Sequence, residues 1–270
     1  MKLSIITINY NNAAGLKKTL DSVVVQTYTD FEHIIVDGAS TDGSVDEIIA
    51  YSQSPIANRH KIIWLSEPDT GIYNAMNKGI RMAHGEYLLF LNSGDVFANT
   101  DVVQQFYDTP ITADIATGIE QESNGRLIYP KQEDELSYSY FYDDTLMHQS
   151  TFVRRDAFER FGMYNEDYRI VSDWEWFFNA LIKQSATYQA LAFLVALFDG
   201  DGISNSQQHM LSHNEEREKV RQRVLPRIRT DYNELKRLQK VEKEYLFLKN
   251  GKAGWIVRLL LKLKKNKNTK

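Results

Sequence analysis

The first hundred residues alternate between short apolar runs and segments with helical spacing, and this alternation constrains the fold more than any other feature. The apolar runs, rich in β-branched and aromatic residues, are LSIITI (3–8), FEHIIV (31–36), KIIWL (61–65) and EYLLFL (86–91). Helical spacing follows the candidate N-caps Asn11 or Asn12, then Asp42 or Ser44, and recurs over 70–83. Strands that alternate with helices predict a parallel sheet with helices on both faces.

Beyond residue 98 the pattern is less regular, but four further features are expected. They are a helix near 99–108, a strand in 113–119 followed by a hairpin at Asn124-Gly125, a helix over 173–184 and a strand within 187–198. From 207 onwards the composition becomes charged and helical. We therefore predict an α/β catalytic domain over 1–205 and a helical C-terminal extension over 206–270.

Composition excludes several classes of protein. The chain has 270 residues, no cysteine and a net charge of −4. The absence of cysteine excludes disulfides, thiolate metal sites and cysteine nucleophiles, and it is typical of a cytoplasmic protein. The net charge gives no support for nucleic-acid binding. No apolar run reaches the length of a membrane-spanning helix, and the N-terminus is typical of a strand rather than of a signal peptide.

Polar residues follow each of the four apolar runs, at positions 9–12, 37–38, 67–71 and 92–95. Because ligands bind beyond the carboxyl ends of parallel strands, we expect these clusters to form one pocket with several carboxylates. Alternatively each cluster is an ordinary turn, since Asn, Asp, Gly and Ser are turn formers. A carboxylate-rich pocket binds phosphate only through a divalent cation, so Asp95 is a candidate ligand of Mg²⁺ or Mn²⁺ on a diphosphate.

The chain resembles the inverting glycosyltransferases of family 2, which have the GT-A fold, in IITINYNNAAGLKKTLDSVVVQTY, EHIIVDGASTDGS, EPDTGIYNAMNKGI and GEYLLFLNSGD. Within the family it is most similar to bacterial enzymes of capsule, exopolysaccharide and lipopolysaccharide biosynthesis. The resemblance covers roughly residues 1–205. It implies transfer of a sugar from a nucleotide-diphosphate sugar, with UDP the expected nucleotide, to a hydroxyl of a glycan or lipid-linked acceptor. It also implies Mn²⁺ or Mg²⁺ on the diphosphate.

The resemblance assigns roles to individual residues. The implied nucleotide-sugar site consists of Asn9, Tyr10, Asp37, Asp69, Asn74, Lys78, Ser93 and Asp95. Asp95 matches the last acid of a D-x-D-type motif and is the implied metal ligand, whereas Asn92 and Gly94 replace the earlier acids. The family often has a second acid directly after the position of Asp37, and here that residue is Gly38.

The segment IVSDWEWFFNAL (170–181) matches the family motif that carries the catalytic base. Ser172 is a candidate N-cap of a helix that opens with Asp173. Inversion by direct displacement needs one base on the face opposite the leaving diphosphate, and we predict Asp173 for this role. Alternatively, Asp173 only complements the helix dipole. The residues expected on the acceptor or phosphate side are His148, Trp174 and Glu175.

Two rival functions stay open at this point. One is a catalytically degenerate nucleotide-sugar binding module, which the replacement of acids by Asn92 and Gly94 favours. The other is a sugar-nucleotide pyrophosphorylase, which would need a glycine-rich basic loop near the N-terminus that NYNNAAGLKK matches poorly.

The C-terminal extension contains two kinds of segment. Residues 207–248 carry apolar residues at helical spacing, so we expect them to pack on the catalytic domain or on a second copy in a homo-oligomer. Residues 249–270 contain eight bases and no acid. A basic amphipathic helix over 251–265 would contact an anionic membrane and hold the enzyme at the inner face of the cell membrane. The alternative is a helix packed on the domain.

Overall fold

The structure is a computed structural model, which describes residues 2–55, 59–198, 207–224, 228–250 and 254–255. The chain divides into two compact units, Met1–Arg217 and Glu218–Lys270. The predicted domain boundary at 205 lies outside the described residues. The same holds for the predicted amphipathic segment 251–265, of which only residues 254–255 are described.

A single sheet forms the centre of the first unit. Its strands are β1 (Leu3–Asn9), β2 (Phe31–Asp37), β3 (Lys61–Ser66), β4 (Tyr87–Phe90), β5 (Val96–Phe97), β6 (Ile115–Glu122), β7 (Leu127–Ile128), β8 (Thr151–Arg154) and β9 (Tyr188–Phe198). The strand order is β3-β2-β1-β4-β8-β6-β9-β5, with β7 paired to β6. Pairing is parallel throughout β3-β2-β1-β4 and between β6 and β9, and antiparallel elsewhere.

Helices connect and flank these strands. They are α1 (Ala13–Val24), α2 (Ser44–Gln53), α3 (Ile72–Met82), α4 (Val102–Asp108), α5 (Tyr138–Asp143), α6 (Arg155–Phe161), α7 (Ser172–Phe178), α8 (Gln207–Val224) and α9 (Ile228–Asn250). Short 3₁₀ turns occupy Glu133–Glu135 and His148–Ser150, and a π-helical turn, Asn179–Lys183, follows α7. The predicted α/β fold with a helical C-terminal extension is confirmed.

The apolar runs are continuous because helices cover both faces of the first strands. Every residue of β1 and of β2 is buried. Ile5 belongs to a core cluster that includes Val23 of α1, whereas the next residue, Ile6, lies against Gly79 of α3. Successive side chains of a strand point to opposite faces, so α1 and α3 lie on opposite sides of β1. A Cβ on Gly79 would lie 2.5 Å from the Ile6 side chain, so this close approach requires glycine.

Of the two predicted caps of α1, Asn11 and Asn12, the structure has Asn12. Its side chain accepts a hydrogen bond from Gly15 N. The predicted caps of α2 are wrong. The N-cap is Gly43, with a φ of 96° that favours glycine. Asp42 instead accepts hydrogen bonds from Ser44 N and Ser44 Oγ across this turn.

Ser172 was predicted to cap the helix that carries Asp173, and this prediction is also wrong. α7 begins at Ser172 itself, after Val171, and no side chain caps it. The Ser172 hydroxyl accepts a hydrogen bond of 2.6 Å from the backbone N of Asn165. The hydroxyl therefore fixes the loop before α7 instead of the helix end.

The C-terminal residues are described separately. Within the second unit, α9 carries an ion pair between Glu234 and Arg237 on its surface. None of the helices in the described ranges is long and apolar enough to cross a membrane.

Candidate active site

The four polar clusters of the sequence lie side by side at the carboxyl ends of the first strands. Asn9, the last residue of β1, pairs with Asp37, the last residue of β2. Beyond the ends of β4 and β3, Ser93 N donates to Ile8 O at 3.1 Å and Glu67 N donates to Asp37 O at 3.0 Å. These backbone contacts join all four clusters into one rim.

Asp37 holds this rim together. Its Oδ1 accepts from Asn9 Nδ2 at 2.8 Å and from Ser40 Oγ at 2.6 Å, and its Oδ2 accepts from Ser40 N at 2.9 Å and Ser66 Oγ at 2.7 Å. Burial alone would raise the pKa of Asp37, but the hydrogen bonds from Ser40, Asn9 and Ser66 outweigh it and lower the pKa. The carboxylate is fully buried and charged, so we expect it to act by fixing the residues around it.

Tyr10 and Asp69 form the outer part of the same rim. Tyr10 is 67% exposed. A Cβ on Gly38 would lie 2.5 Å from Asp69 Oδ2 and 3.0 Å from Tyr10 Cδ2. The Asp69 carboxylate therefore fills the space that a side chain at position 38 would need. The family's frequent second acid after the Asp37 position is absent here, and an acid from the loop after β3 lies at that place.

The loop that carries Asp95 is fixed by α1. Gly94 has a φ of 110°, and its N donates to Thr19 Oγ1 at 3.0 Å. Thr19 Oγ1 in turn donates to Asp95 O at 2.7 Å. Asn12 Nδ2 donates to Ser93 O, and Ser93 Oγ donates to Asn12 O, both at 3.2 Å. Asp95 is consequently held at the strand end with 9% of its surface exposed.

Asp173 is held by two side chains from other elements. Tyr73 Oη, on α3, donates to Asp173 Oδ1 at 2.8 Å. His148 Nδ1 lies 3.4 Å from Asp173 Oδ2, and His148 Nε2 lies 3.0 Å from Asn92 Nδ2. With the Asn92 amide as donor, neutral His148 carries its proton on Nδ1 and donates it towards Asp173. His148 therefore links Asp173 directly to the loop of Asp95.

Electrostatics couple the same groups. Burial would raise the pKa of Asp173, but the hydrogen bond and charge of His148 and the hydrogen bond from Tyr73 outweigh it and lower the pKa. Burial would lower the pKa of His148, but Asp173, Asp95 and Glu120 outweigh it and raise the pKa. Asp173 is therefore ionised near neutral pH, as a general base must be.

Asn74 and Lys78, both predicted at the nucleotide site, bind protein groups in this structure. Asn74 Nδ2 donates to Glu166 Oε2 at 2.7 Å. Lys78 Nζ lies 2.8 Å from Glu67 Oε1 and donates to Pro68 O at 2.9 Å. These contacts fix α3 against the loops on either side of the site.

Trp174 and Glu175, predicted on the acceptor or phosphate side, are both buried. Trp174 Nε1 donates to Phe141 O at 2.6 Å, which fixes α5 against α7. We therefore propose that Trp174 positions α7 instead of contacting the acceptor.

Sequence reasoning missed Tyr73 and Glu120. Tyr73 belongs to the same helix as Asn74 and Lys78, which were the residues predicted at the nucleotide site. Its own aromatic side chain is typical of a core position. Glu120 lies in β6 after the apolar start of the strand, and it is buried. An acid that follows the buried first half of a strand is the signal that could have identified it.

The residues present fit a divalent cation that is shared with a substrate. The described residues contain no group of three His, Asp or Glu side chains that could hold a metal by themselves. Asp95 would contribute one carboxylate, and the buried carboxyl of Glu120 interacts electrostatically with it. Mg²⁺ and Mn²⁺ prefer oxygen ligands, and Mg²⁺ is commonly held by one or two carboxylates plus substrate phosphates. Diphosphate oxygens and water would complete such a site.

The profile of Glycosyl transferase family 2 matches residues 4–169 of the chain. The chain belongs to this family. Over 209 residues this family 2 glycosyltransferase is 33% identical to the PGL/p-HBAD biosynthesis glycosyltransferase of Mycobacterium tuberculosis, a match that covers 75% of this chain and 79% of the relative. The predicted family and enzyme class are confirmed, and membership favours a transferase over a pyrophosphorylase.

Two solved structures share the fold of the transferase. S. aureus TarS 1–349 in complex with UDP-GlcNAc matches with a TM-score of 0.61 at 19% identity, covering 77% of this chain and 61% of that chain. The mannosyltransferase PcManGT from Pyrobaculum calidifontis, in complex with GDP-Man and Mn²⁺, matches with a TM-score of 0.58 at 16% identity, covering 76% and 58%. The transferase thus spans about three fifths of each solved chain, and the predicted GT-A fold is confirmed.

Proposed function

We propose that this protein is an inverting glycosyltransferase that uses a nucleotide-diphosphate sugar, with UDP as the nucleotide. The sugar is transferred to a hydroxyl of a glycan or lipid-linked acceptor in bacterial surface polysaccharide biosynthesis, with Mn²⁺ or Mg²⁺ as cofactor. One observation carries the proposal. The Asp173 carboxylate, held by Tyr73 and His148, is linked through Asn92 to the loop of Asp95.

Asp173 is the base of the proposed reaction. Its carboxylate accepts the proton of the acceptor hydroxyl while that oxygen bonds to the anomeric carbon and the bond from this carbon to the diphosphate oxygen breaks. Tyr73 and His148 fix the orientation of the carboxylate, which lowers the entropic cost of reaching the reactive geometry. Asp95 would hold the divalent cation, which, when bound, offsets the negative charge of the departing diphosphate.

The donor nucleotide binds at the rim formed by β1, β2 and β3. Tyr10 is the exposed aromatic residue at this rim and offers a face on which a base stacks. Asp69, next to it, is placed to accept hydrogen bonds from the base or the ribose. Asn9 donates a hydrogen bond to Asp37, and this pair lies next to both residues in the rim. Ser93 belongs to the loop of Asp95, where the diphosphate would be bound.

The comparisons support a nucleotide-sugar donor but leave the base open. TarS is described with UDP-GlcNAc and PcManGT with GDP-Man and Mn²⁺. The name of the M. tuberculosis relative assigns that protein to PGL/p-HBAD biosynthesis, which supports a biosynthetic role for this chain. We further propose that the enzyme works in the cytoplasm, where residues 251–265 bind it to the inner face of the membrane. We do not expect nucleic acid to be a partner. The C-terminal helices are proposed to pack on the domain or on a second copy.

A donor screen tests the proposal. UDP-, GDP- and dTDP-sugars are tested for thermal stabilisation of the protein in the presence of Mn²⁺. For the donor that stabilises most, transfer of its sugar to water or to simple glycosides is followed by NMR. We expect stabilisation by UDP-sugars and a product whose anomeric configuration is inverted. Retention of configuration would overturn the mechanism, and binding without turnover would instead favour a nucleotide-sugar binding module.

A further inference from the structure

Glu120 lies close to Asp95 because of the sheet order. Glu120 of β6 pairs with Ala196 of β9, and Ala196 also pairs with Phe97 of β5, two residues after Asp95. Neighbouring strands are about 4.8 Å apart, so about 10 Å separates the two outer backbones of this row. The charge of Asp95 acts on Glu120 across this row, so the two carboxyl groups lie near each other.

An irregularity in the strand lies immediately before Glu120. The pairing register between β6 and β9 shifts between Thr117 and Ile119, and again between Ile119 and Glu120. β-bulges of this kind interrupt a ladder and change the direction of the following side chain, and they are common next to active sites. The carboxyl group of Glu120, which follows this irregularity directly, interacts electrostatically with His148 and Asp95.

Glu120 is an unusual acid for a structural role. It is 2% exposed, and within the described residues its Oε2 is buried without a hydrogen-bond partner. Burial, together with the negative charges of Asp95 and Glu122, raises the pKa of Glu120 to about 7, although His148 and the Ser150 hydroxyl oppose this shift. A buried polar oxygen without a partner destabilises a fold. A bound cation would supply the missing partner.

We propose that Glu120 is the second protein carboxylate for the divalent cation on the donor diphosphate. The D-x-D-type motif of this chain keeps only Asp95, and Glu120 would restore from another strand a carboxylate that Asn92 and Gly94 do not provide. This inference rests on the proposed function. It adds to that function a metal ligand, Glu120, that lies outside the D-x-D-type motif.

The test uses the full-length protein, with Mn²⁺ and UDP as probes. Binding of Mn²⁺ in the presence of UDP is titrated by electron paramagnetic resonance of the free ion, for the wild type, Asp95→Asn, Glu120→Gln and Glu122→Gln. Glu122 is a matched control because it lies on the same strand but interacts with Asn124 and Arg126 at the hairpin. We expect Glu120→Gln to weaken Mn²⁺ binding at least tenfold, and Glu122→Gln, which acts on Glu120 only through its charge, to change it far less.

Thermal melting gives an independent readout. Without metal, Glu120→Gln is expected to melt at or above the temperature of the wild type, because it removes an acid from a buried, negatively charged site. With Mn²⁺ and UDP, the wild type is expected to gain stability and Glu120→Gln to gain much less. A purely structural role for Glu120 would give the opposite pattern, a lower melting temperature without metal and an unchanged gain with it.

Three outcomes separate this inference from the proposed function. If the wild type binds Mn²⁺ with UDP and Glu120→Gln binds it equally well, the role of Glu120 is refuted while the proposed function stands. If only Asp95→Asn weakens Mn²⁺ binding, Asp95 is the sole protein ligand and the inference fails. If the wild type binds neither UDP nor Mn²⁺ with UDP, both proposals fall together.

Discussion

Replacement of Tyr73 by Phe tests whether Asp173 works as the base. The Tyr73 hydroxyl donates to Asp173 Oδ1 at 2.8 Å, and Tyr73 is buried, so the substitution removes one donor and little volume. This hydrogen bond stabilises the charged form of Asp173 and lowers its pKa. Its loss raises the pKa of Asp173.

The expected size of the change follows from the strength of the bond. A hydrogen bond to a charged group contributes about 1.5–3 kcal/mol. One pKa unit corresponds to about 1.4 kcal/mol, so the pKa of Asp173 should rise by about one to two units. Because the base must be deprotonated to act, the acid limb of kcat/KM should move to higher pH by the same amount.

The assay is the release of UDP from a UDP-sugar, measured across pH at constant ionic strength. Tyr164→Phe is the matched control. Tyr164 lies in the same aromatic cluster, with its ring centroid 5.6 Å from that of Tyr73, and within the described residues its buried hydroxyl has no hydrogen-bond partner. Its acid limb should stay in place. An unshifted limb in Tyr73→Phe, with normal folding, would refute the assignment of Asp173 as the titrating base.

Three further substitutions or conditions test other parts of the account. His148→Gln should lower kcat by about 10²-fold through misplacement of Asp173 while KM for the donor changes little; equal kcat values in steady-state kinetics would contradict this. Gly38→Ala should weaken UDP binding in calorimetry, because the new Cβ would lie 2.5 Å from Asp69 Oδ2 and displace it; unchanged affinity would remove Asp69 from the donor site. Burial lowers the pKa of His33, and it lowers the pKa of His60 to about 4. Both side chains are therefore neutral in the folded protein between pH 7 and pH 5, whereas in the unfolded chain they become protonated near pH 6.5. The free energy of unfolding in urea should therefore fall between pH 7 and pH 5, and His60→Gln should reduce this fall; equal pH slopes would contradict the assignment.

The first half of the fold could be predicted because three of its strands, β1, β2 and β4, are buried on both faces. Continuous apolar runs then mark β1, β2 and β4, and polar residues mark their ends. Residues 130–150 gave no comparable signal, because their short helices depend on contacts with distant elements. One such contact is the hydrogen bond from Trp174 Nε1 to Phe141 O.

The candidate site was only partly predictable for a similar reason. Asp173, His148 and Asp95 belong to motifs with a recognisable spacing, and the structure brings them into one electrostatic network. Glu120 has no motif, and its place depends on a strand order in which β9 lies between β6 and β5. The need for glycine at position 38 depends on Asp69, which comes from another loop and fills the space beside Gly38.

In the proposed mechanism Asp173 removes the proton from the acceptor hydroxyl, and Asp173→Asn eliminates this step. Asparagine keeps the shape of the side chain and a carbonyl oxygen that accepts the hydrogen bond from Tyr73. Calorimetry with UDP and Mn²⁺ should give an affinity close to that of the wild type, while the rate of sugar transfer, including transfer to water, should fall by about 10²–10⁴-fold. Transfer at the wild-type rate by this variant would contradict the account.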